Sequence, residues 1–135
     1  MNHFTRSLVT VSGARRPRGP VVCAAMLRTV SAVSAVSAVG ASGLADSERG
    51  TLMTTLRMEV LERSAERTVV RMPVDGARQV LGILHGGASA ALIETADSVA
   101  AREAAPDETV PVGTELQISH LHPAQRGWVT AVATP

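Results

Sequence analysis

Apolar and polar residues alternate along four stretches of the chain, and each alternation predicts a β-strand. The four stretches are residues 56–61, 68–74, 110–119 and 128–134. The third is the most regular, because Val, Thr, Leu and Ile occupy every second position from Val110 to Ile118. A polar segment around Ser64–Glu66 predicts a turn between the first two strands.

The segment between the second and third strands predicts one long helix. Neither Gly nor Pro interrupts Ala90–Ala105, and alanine dominates it. A helix from about Gly86 to Ala104, ended by Pro106–Glu108, has a length of ~28 Å, close to the ~30 Å of a nine-residue strand. The order β-β-α-β-β therefore favours an α+β fold, in which an antiparallel sheet wraps around one long central helix.

The N-terminal part of the chain has a different composition from the rest. Residues 1–45 contain five Arg and no acid, and residues 31–39 repeat Ser, Ala and Val. Low-complexity segments of this kind seldom bury a core. We therefore expect residues 1–52 to be a disordered extension and residues 53–135 to be the folded domain. An export signal and a transit-like peptide are the alternative interpretations of the extension.

Composition restricts the possible functions. The 135 residues correspond to one domain, and the formal net charge is +1. Residues 46–135 carry eight Arg, twelve acids and no Lys, and the whole chain has one Trp and one Phe, so a nucleic-acid partner is not expected. No apolar run approaches the ~20 residues of a membrane helix. The single cysteine, Cys23, excludes an intrachain disulfide and favours a reduced, cytoplasmic location.

The sequence His85-Gly86-Gly87 stands where the long helix is expected to begin. The first N–H groups of a helix have no internal acceptor, and the helix dipole favours negative charge there. Glycine allows a ligand to approach the backbone closely. These features together predict an oxyanion hole for a carbonyl under attack. Taken alone, His85 is equally consistent with a capping residue. The two glycines, taken alone, are equally consistent with a turn.

Glu94 lies in the interior of this helix among apolar or small neighbours, which is as consistent with a partly desolvated carboxylate as with a solvated helix residue. Ser98 is four residues further and shares its face. A carboxylate beside a hydroxyl can activate a water, or it can attack an acyl carbon directly. Asp97 is expected on an exposed flank. His120 and His122 lack a third ligand, so no metal site is predicted.

The spacing of Gln79, His85-Gly86-Gly87, Glu94 and Ser98 resembles that of the hotdog-fold acyl-CoA thioesterases. The similarity is greatest to the phenylacetate-degradation thioesterase family, with its 1,4-dihydroxy-2-naphthoyl-CoA hydrolase and 4-hydroxybenzoyl-CoA thioesterase relatives. The stretch from Val112 to His120 and the strand after it also resemble this family, so that the resemblance covers roughly residues 53–135.

The resemblance implies a role for each matching residue. Gly86 would polarise the thioester carbonyl through its N–H, and His85 and Gln79 would orient the thioester. Glu94 would act as nucleophile or general base, and Ser98 would hold the attacking water. Further residues implied in substrate binding are Gly87, Gly113, His120 and His122. The family needs no metal or other cofactor and places its site between two chains of a homodimer, and such dimers often pair into homotetramers.

Two departures from the family pattern affect these expectations. His122 stands where the family often has an arginine for the CoA phosphates, and Arg126 is a candidate substitute. The family also continues past the fourth strand with more sheet, so the domain is expected to lack its final strands.

The expected activity is hydrolysis of an aromatic or medium-length acyl-CoA, with 1,4-dihydroxy-2-naphthoyl-CoA of menaquinone biosynthesis as one substrate. The alternative is an inactive or unstable truncated hotdog fragment.

Overall fold

A computed structural model describes residues 3–12, 22–30, 49–106 and 109–134, with side chains from residue 49 onwards. These residues form six strands and two helices. The elements in chain order are β1 (His3–Ser12), β2 (Val22–Val30), α1 (Leu52–Thr55), β3 (Glu59–Glu62), β4 (Thr68–Pro73), α2 (Gly86–Ala104), β5 (Val112–Ser119) and β6 (Trp128–Thr134).

The six strands form one antiparallel sheet in the order β3-β4-β6-β1-β2-β5. Helix α2 packs across one face of this sheet and contacts β1, β2, β4, β5 and β6. The expected α+β architecture, an antiparallel sheet around one long helix, is therefore confirmed. The predicted bounds of the long helix agree with those of α2.

Alternation along β4 and β6 builds the face of the sheet that meets α2. In register, Val70 lies opposite Ala131 and Met72 lies opposite Val129, and all four side chains are fully buried. The facing surface of the helix supplies mostly small or branched apolar side chains: Ala88, Leu92, Ile93, Ala96 and Ala100. Small alanines on both surfaces are compatible with close packing of the helix on the sheet.

The opposite face of the sheet carries polar and aromatic side chains. The Arg71 guanidinium lies 4.3 Å from the centroid of the Trp128 ring on the neighbouring strand. Its Nε also donates to Glu59 Oε2 at 2.7 Å across the β3–β4 pair. Because these contacts are exposed cross-strand pairs, they support the strand register and not the core.

The first predicted strand begins later than its pattern indicates. Residues 56–58 follow a single helical turn, α1, and the Met58 N–H donates to the Met53 oxygen at 2.8 Å. Arg57 has a φ of 53°, in the left-handed region. This local turn interrupts the alternation, so the strand starts at Glu59.

The N-terminal part of the chain also differs from its expectation. Two strands, β1 and β2, lie within residues 1–52, where the sequence predicts a disordered extension. Each of these strands pairs with two neighbours. Local composition does not predict such long-range pairing. Residues 13–20 and the Ser-Ala-Val repeat at 31–39 lie outside the described residues. Disorder, an export signal or a transit peptide therefore stay predictions for those two segments.

Candidate active site

His85 is the N-cap of helix α2. Its Nδ1 atom accepts a hydrogen bond from the Gly87 N–H at 2.9 Å, while its own N–H donates to the Ala77 oxygen at 2.9 Å. Since Nδ1 is the acceptor, a neutral His85 carries its ring hydrogen on Nε2. The side chain is exposed, so its Nε2–H is a donor that a ligand at the helix start can use.

The cap leaves one backbone donor of the first turn for a ligand. The N–H groups of Ala88 and Ser89 donate to the His85 oxygen at 3.0 and 3.2 Å, and the Gly87 N–H donates to the His85 ring. Gly86 is the first residue of the helix, so its N–H has no acceptor within the helix. The helix start therefore offers two donors, the Gly86 N–H and the His85 Nε2–H, and the oxyanion hole expected from the sequence stays a prediction.

Gln79 begins a tight loop that leads into this helix start. Its backbone N–H donates to the Ile83 backbone oxygen at 2.8 Å, and its backbone oxygen accepts from the Gly82 N–H at 2.9 Å. Gly82 has a φ of 76°, a conformation that favours glycine. Leu84 closes the loop by bridging to Arg78. Gln79 precedes His85 by six positions, and the Gln79 side chain is half-buried.

The ring of His120 lies against the backbone of Gly86. A Cβ atom placed on Gly86 would lie 3.0 Å from His120 Nε2 and 3.3 Å from Cε1. His120 follows the last residue of β5, so the end of that strand meets the start of α2. Sequence reasoning proposed His120 as a substrate-binding residue but missed this contact. The two residues are 34 positions apart and nothing local in the sequence links them.

This contact leads to a prediction about stability. We expect Gly86→Ala to be neutral or destabilising in the native chain, because the new methyl group crowds the His120 ring at a typical cost of ~1–3 kcal/mol. In a His120→Ala background the same change is expected to raise the free energy of unfolding by about 0.4–1 kcal/mol, since alanine restricts the unfolded chain. Urea unfolding of the native chain, the two single variants and the double variant measures this coupling. An equal effect in both backgrounds would contradict the contact.

Glu94 and Asp97 lie on different sides of helix α2, and only Asp97 contradicts its expectation. The Glu94 side chain is exposed, whereas Asp97 is fully buried. The reason is their position around the helix: Asp97 follows Ile93 by four residues on the face toward the sheet, and Glu94 faces away from it. The exposed Asp97 expected from the sequence is therefore wrong, and of the two alternatives for Glu94 the single chain shows the solvated one. Ser98 is half-buried and lies one turn after Glu94.

The remaining predicted site residues are not all brought together. Gly87 belongs to the helix start, where a Cβ would lie 3.1 Å from His85 Nδ1. His122 is exposed in the turn that follows His120. Gly113 is near the other end of β5, ~23 Å along an extended strand from His120, so it lies far from the helix start of its own chain. Among the described residues, no three His, Cys, Asp or Glu side chains converge as a metal site.

The chain is similar in sequence to several known proteins. The Thioesterase superfamily matches residues 81–135. ComA2 of Bacillus subtilis is 45% identical over 87 residues, which are 63% of this chain and 69% of ComA2. The proofreading thioesterase EntH of Cronobacter turicensis is 40% identical over 87 residues, which are 64% of each chain.

A solved structure shows the same architecture. The crystal structure of a thioesterase from Haemophilus influenzae aligns with a TM-score of 0.64 and 34% identity, over 70% of this chain and 66% of that one. This likeness confirms the expected hotdog fold. The chain thus spans about two thirds of the length of these three relatives. None of the helices in the described ranges is long and apolar enough to cross a membrane.

Proposed function

Because the chain belongs to the thioesterase superfamily, we propose that it hydrolyses acyl-CoA thioesters at a site formed by two copies of the chain. The observation that carries the proposal is the start of α2. There the His85 ring and oxygen accept from the N–H groups of Gly87, Ala88 and Ser89, so that the Gly86 N–H is the donor of the first turn with no acceptor in the helix. EntH, one of the similar proteins, is named a thioesterase, which supports the same reaction class.

The chemistry follows from these groups. The thioester oxygen accepts hydrogen bonds from the Gly86 N–H and the His85 Nε2–H, which stabilise the negative charge that develops during attack. As general base, Glu94 takes a proton from the water held by Ser98. The oxygen of that water bonds to the carbonyl carbon, the carbon–sulfur bond breaks, and the thiolate receives the proton, giving free acid and CoA.

Glu94 as nucleophile is the second route. Its carboxylate displaces the thiolate and forms a mixed anhydride, which water then hydrolyses to the acid and the regenerated carboxylate. Both routes need the carboxylate beside the acyl carbon and the Gly86 N–H beside the acyl oxygen. The required positions of Glu94 and the Gly86 N–H are therefore the same whichever route the reaction takes.

Within one chain these two groups lie too far apart to act on one carbonyl. Glu94 follows Gly86 by eight residues on the same helix, a rise of ~12 Å, whereas a carbonyl carbon and oxygen are only ~1.2 Å apart. Glu94 is also exposed in the single chain. A second copy that brings its own helix start to Glu94 resolves both facts, so the proposed unit is a homodimer or a tetramer of such dimers.

Exposed apolar side chains near the helix start support the same assembly. Val80 is 100% exposed and Leu81 is 76% exposed in the loop before His85, and Leu121 is 55% exposed beside His120. The two segments meet where the Leu84 N–H donates to the Ala124 oxygen at 2.7 Å. Exposed large apolar residues of this kind favour a protein interface, and a second copy is the partner that the divided site requires.

The proposed acyl group is aromatic or of medium length, with 1,4-dihydroxy-2-naphthoyl-CoA as one substrate of a cytoplasmic enzyme. The CoA phosphates lie by His122 and Arg126, which are both exposed in the turn between β5 and β6. We expect Arg126 to provide the main phosphate contact, because the planar guanidinium presents two donors that match phosphate oxygens.

The test is a thiol-release assay with a thiol-reactive dye on the full chain. Benzoyl-CoA, 1,4-dihydroxy-2-naphthoyl-CoA, octanoyl-CoA and acetyl-CoA form the substrate panel. We expect hydrolysis above the enzyme-free rate for at least one aromatic or medium acyl group, with acetyl-CoA the slowest because it fills least of an apolar site. A folded dimer that releases no thiol from any of the four would overturn the proposed function.

A further inference from the structure

The β1–β2 hairpin occupies the middle of the sheet. Strand β1 pairs with β6 from Arg6 opposite Thr134 to Ser12 opposite Trp128. Strand β2 pairs with β5 from Ala24 opposite Ser119 to Val30 opposite Val112. The hairpin thus joins the part of the sheet that carries the buried core to the strand that leads to His120.

Strand β5 depends on this hairpin for its place in the sheet. It lies at the edge, and in the described strand order its one neighbour is β2. Without β1 and β2, a gap of two strand positions separates β5 from β6, which places the two strands ~14 Å apart at the usual spacing. His120 follows β5 directly, so the contact of its ring with Gly86 rests on the hairpin as well.

The register indicates how the hairpin relates to the rest of the chain. Thr134 at the end of β6 lies opposite Arg6 near the start of β1, and neighbouring antiparallel strands are only ~5 Å apart. A connection of a few residues from β6 to β1 would therefore give the same sheet as an ordinary meander β6-β1-β2. The resemblance to the hotdog family implies further strands after β6, and the hairpin lies at that position in the sheet.

We propose that residues 1–30 complete the domain in a circularly permuted order, and that this segment positions β5 and His120 at the site. The structural part of this proposal does not depend on the proposed function, since folding measures it. The positioning of the site does rest on the proposed function, and activity is used only for that part.

Proline substitution in the full chain is the first test. Leu8→Pro and Ala25→Pro each remove a backbone donor from a strand that pairs on both sides. We expect each to lower Tm by about 10 °C or more, because proline breaks a central ladder. Ala35→Pro, in the Ser-Ala-Val repeat, is the matched control and is expected to leave Tm unchanged. Unchanged Tm in both strand variants would refute the placement of the hairpin in the sheet.

A reordered chain is the second test. Residues 49–135 are joined through a short Gly-Ser linker to residues 1–30, and residues 49–135 alone are made beside it. We expect the reordered chain to melt cooperatively within about 5 °C of the natural order and to retain its thiol-release activity. The shorter chain is expected to lose cooperative melting. Cooperative melting of 49–135 at the native Tm, or failure of the reordered chain to fold, would overturn the permuted order.

Discussion

Glu94→Gln is expected to lower thioester turnover by about 100- to 10,000-fold, the usual contribution of a general base. The amide keeps the size of the side chain but accepts no proton and is not a nucleophile. Because Glu94 is exposed in the single chain, we expect Tm to change by no more than about 2 °C. The loss is expected in kcat with little change in KM, since the carboxylate acts in the transition state.

Glu103→Gln is the matched control on the same helix. Glu103 is also exposed, and its carboxylate lies 3.5 Å from the Arg63 guanidinium. Surface pairs of this kind contribute about 1 kcal/mol or less, and the residue lies at the far end of α2 from Gly86. We expect normal kcat/KM for this variant in the same thiol-release assay. Full turnover by Glu94→Gln would exclude both the general-base and the nucleophile mechanisms.

The strands of the core and the long helix were predictable because periodicity decides them. The two-residue period of 68–74 and 128–134 places alternate residues on one face, and those faces are buried against α2. The helix bounds were predictable because glycine and proline stand at its limits. The start of β3 was not, since the turn at Arg57 depends on a hydrogen bond between Met58 and Met53.

The helix start of the site was predictable for a similar reason, because capping is local. His85 and Gly87 are two residues apart, and their hydrogen bond is a property of that short segment. The contact between His120 and Gly86 was not, because the place of β5 in the sheet depends on pairing with β2, a strand that the pattern did not predict. Asp97 was misplaced although Ile93, four residues earlier, lies on the same face, because an alanine-rich helix has few large apolar side chains to identify its buried face.

Gly86→Pro is the sharpest available change at the helix start, and it leads to the second large prediction. Proline removes the N–H itself and is favoured at the first position of a helix. The preceding residue, His85, has φ −72° and ψ 130°, a conformation that a following proline accepts. Gly86→Ala adds the same Cβ but keeps the N–H. We expect Gly86→Pro to be about 100- to 1,000-fold slower than Gly86→Ala, the usual cost of one oxyanion donor.

Mixed dimers of Glu94→Gln and Gly86→Pro then test whether the site is shared between chains. One of the two sites in such a dimer combines both substitutions, while the other combines Glu94 and Gly86 in their native form. We therefore expect the mixed dimer to recover about half of the native activity, from parents that are each nearly inactive. Co-expression with two different affinity tags and sequential purification isolates this species for the thiol-release assay.

The control is a mixed dimer of Glu94→Gln and Glu94→Gln/Gly86→Pro, purified in the same way. Every site in it lacks the carboxylate, so we expect no recovery whichever chain donates the helix start. If all groups of the site came from one chain, each chain of the first mixture would carry one defect, and its activity would stay at the level of the parents. Recovery to about half therefore requires that the ~12 Å between Gly86 and Glu94 along one helix be bridged by a second copy.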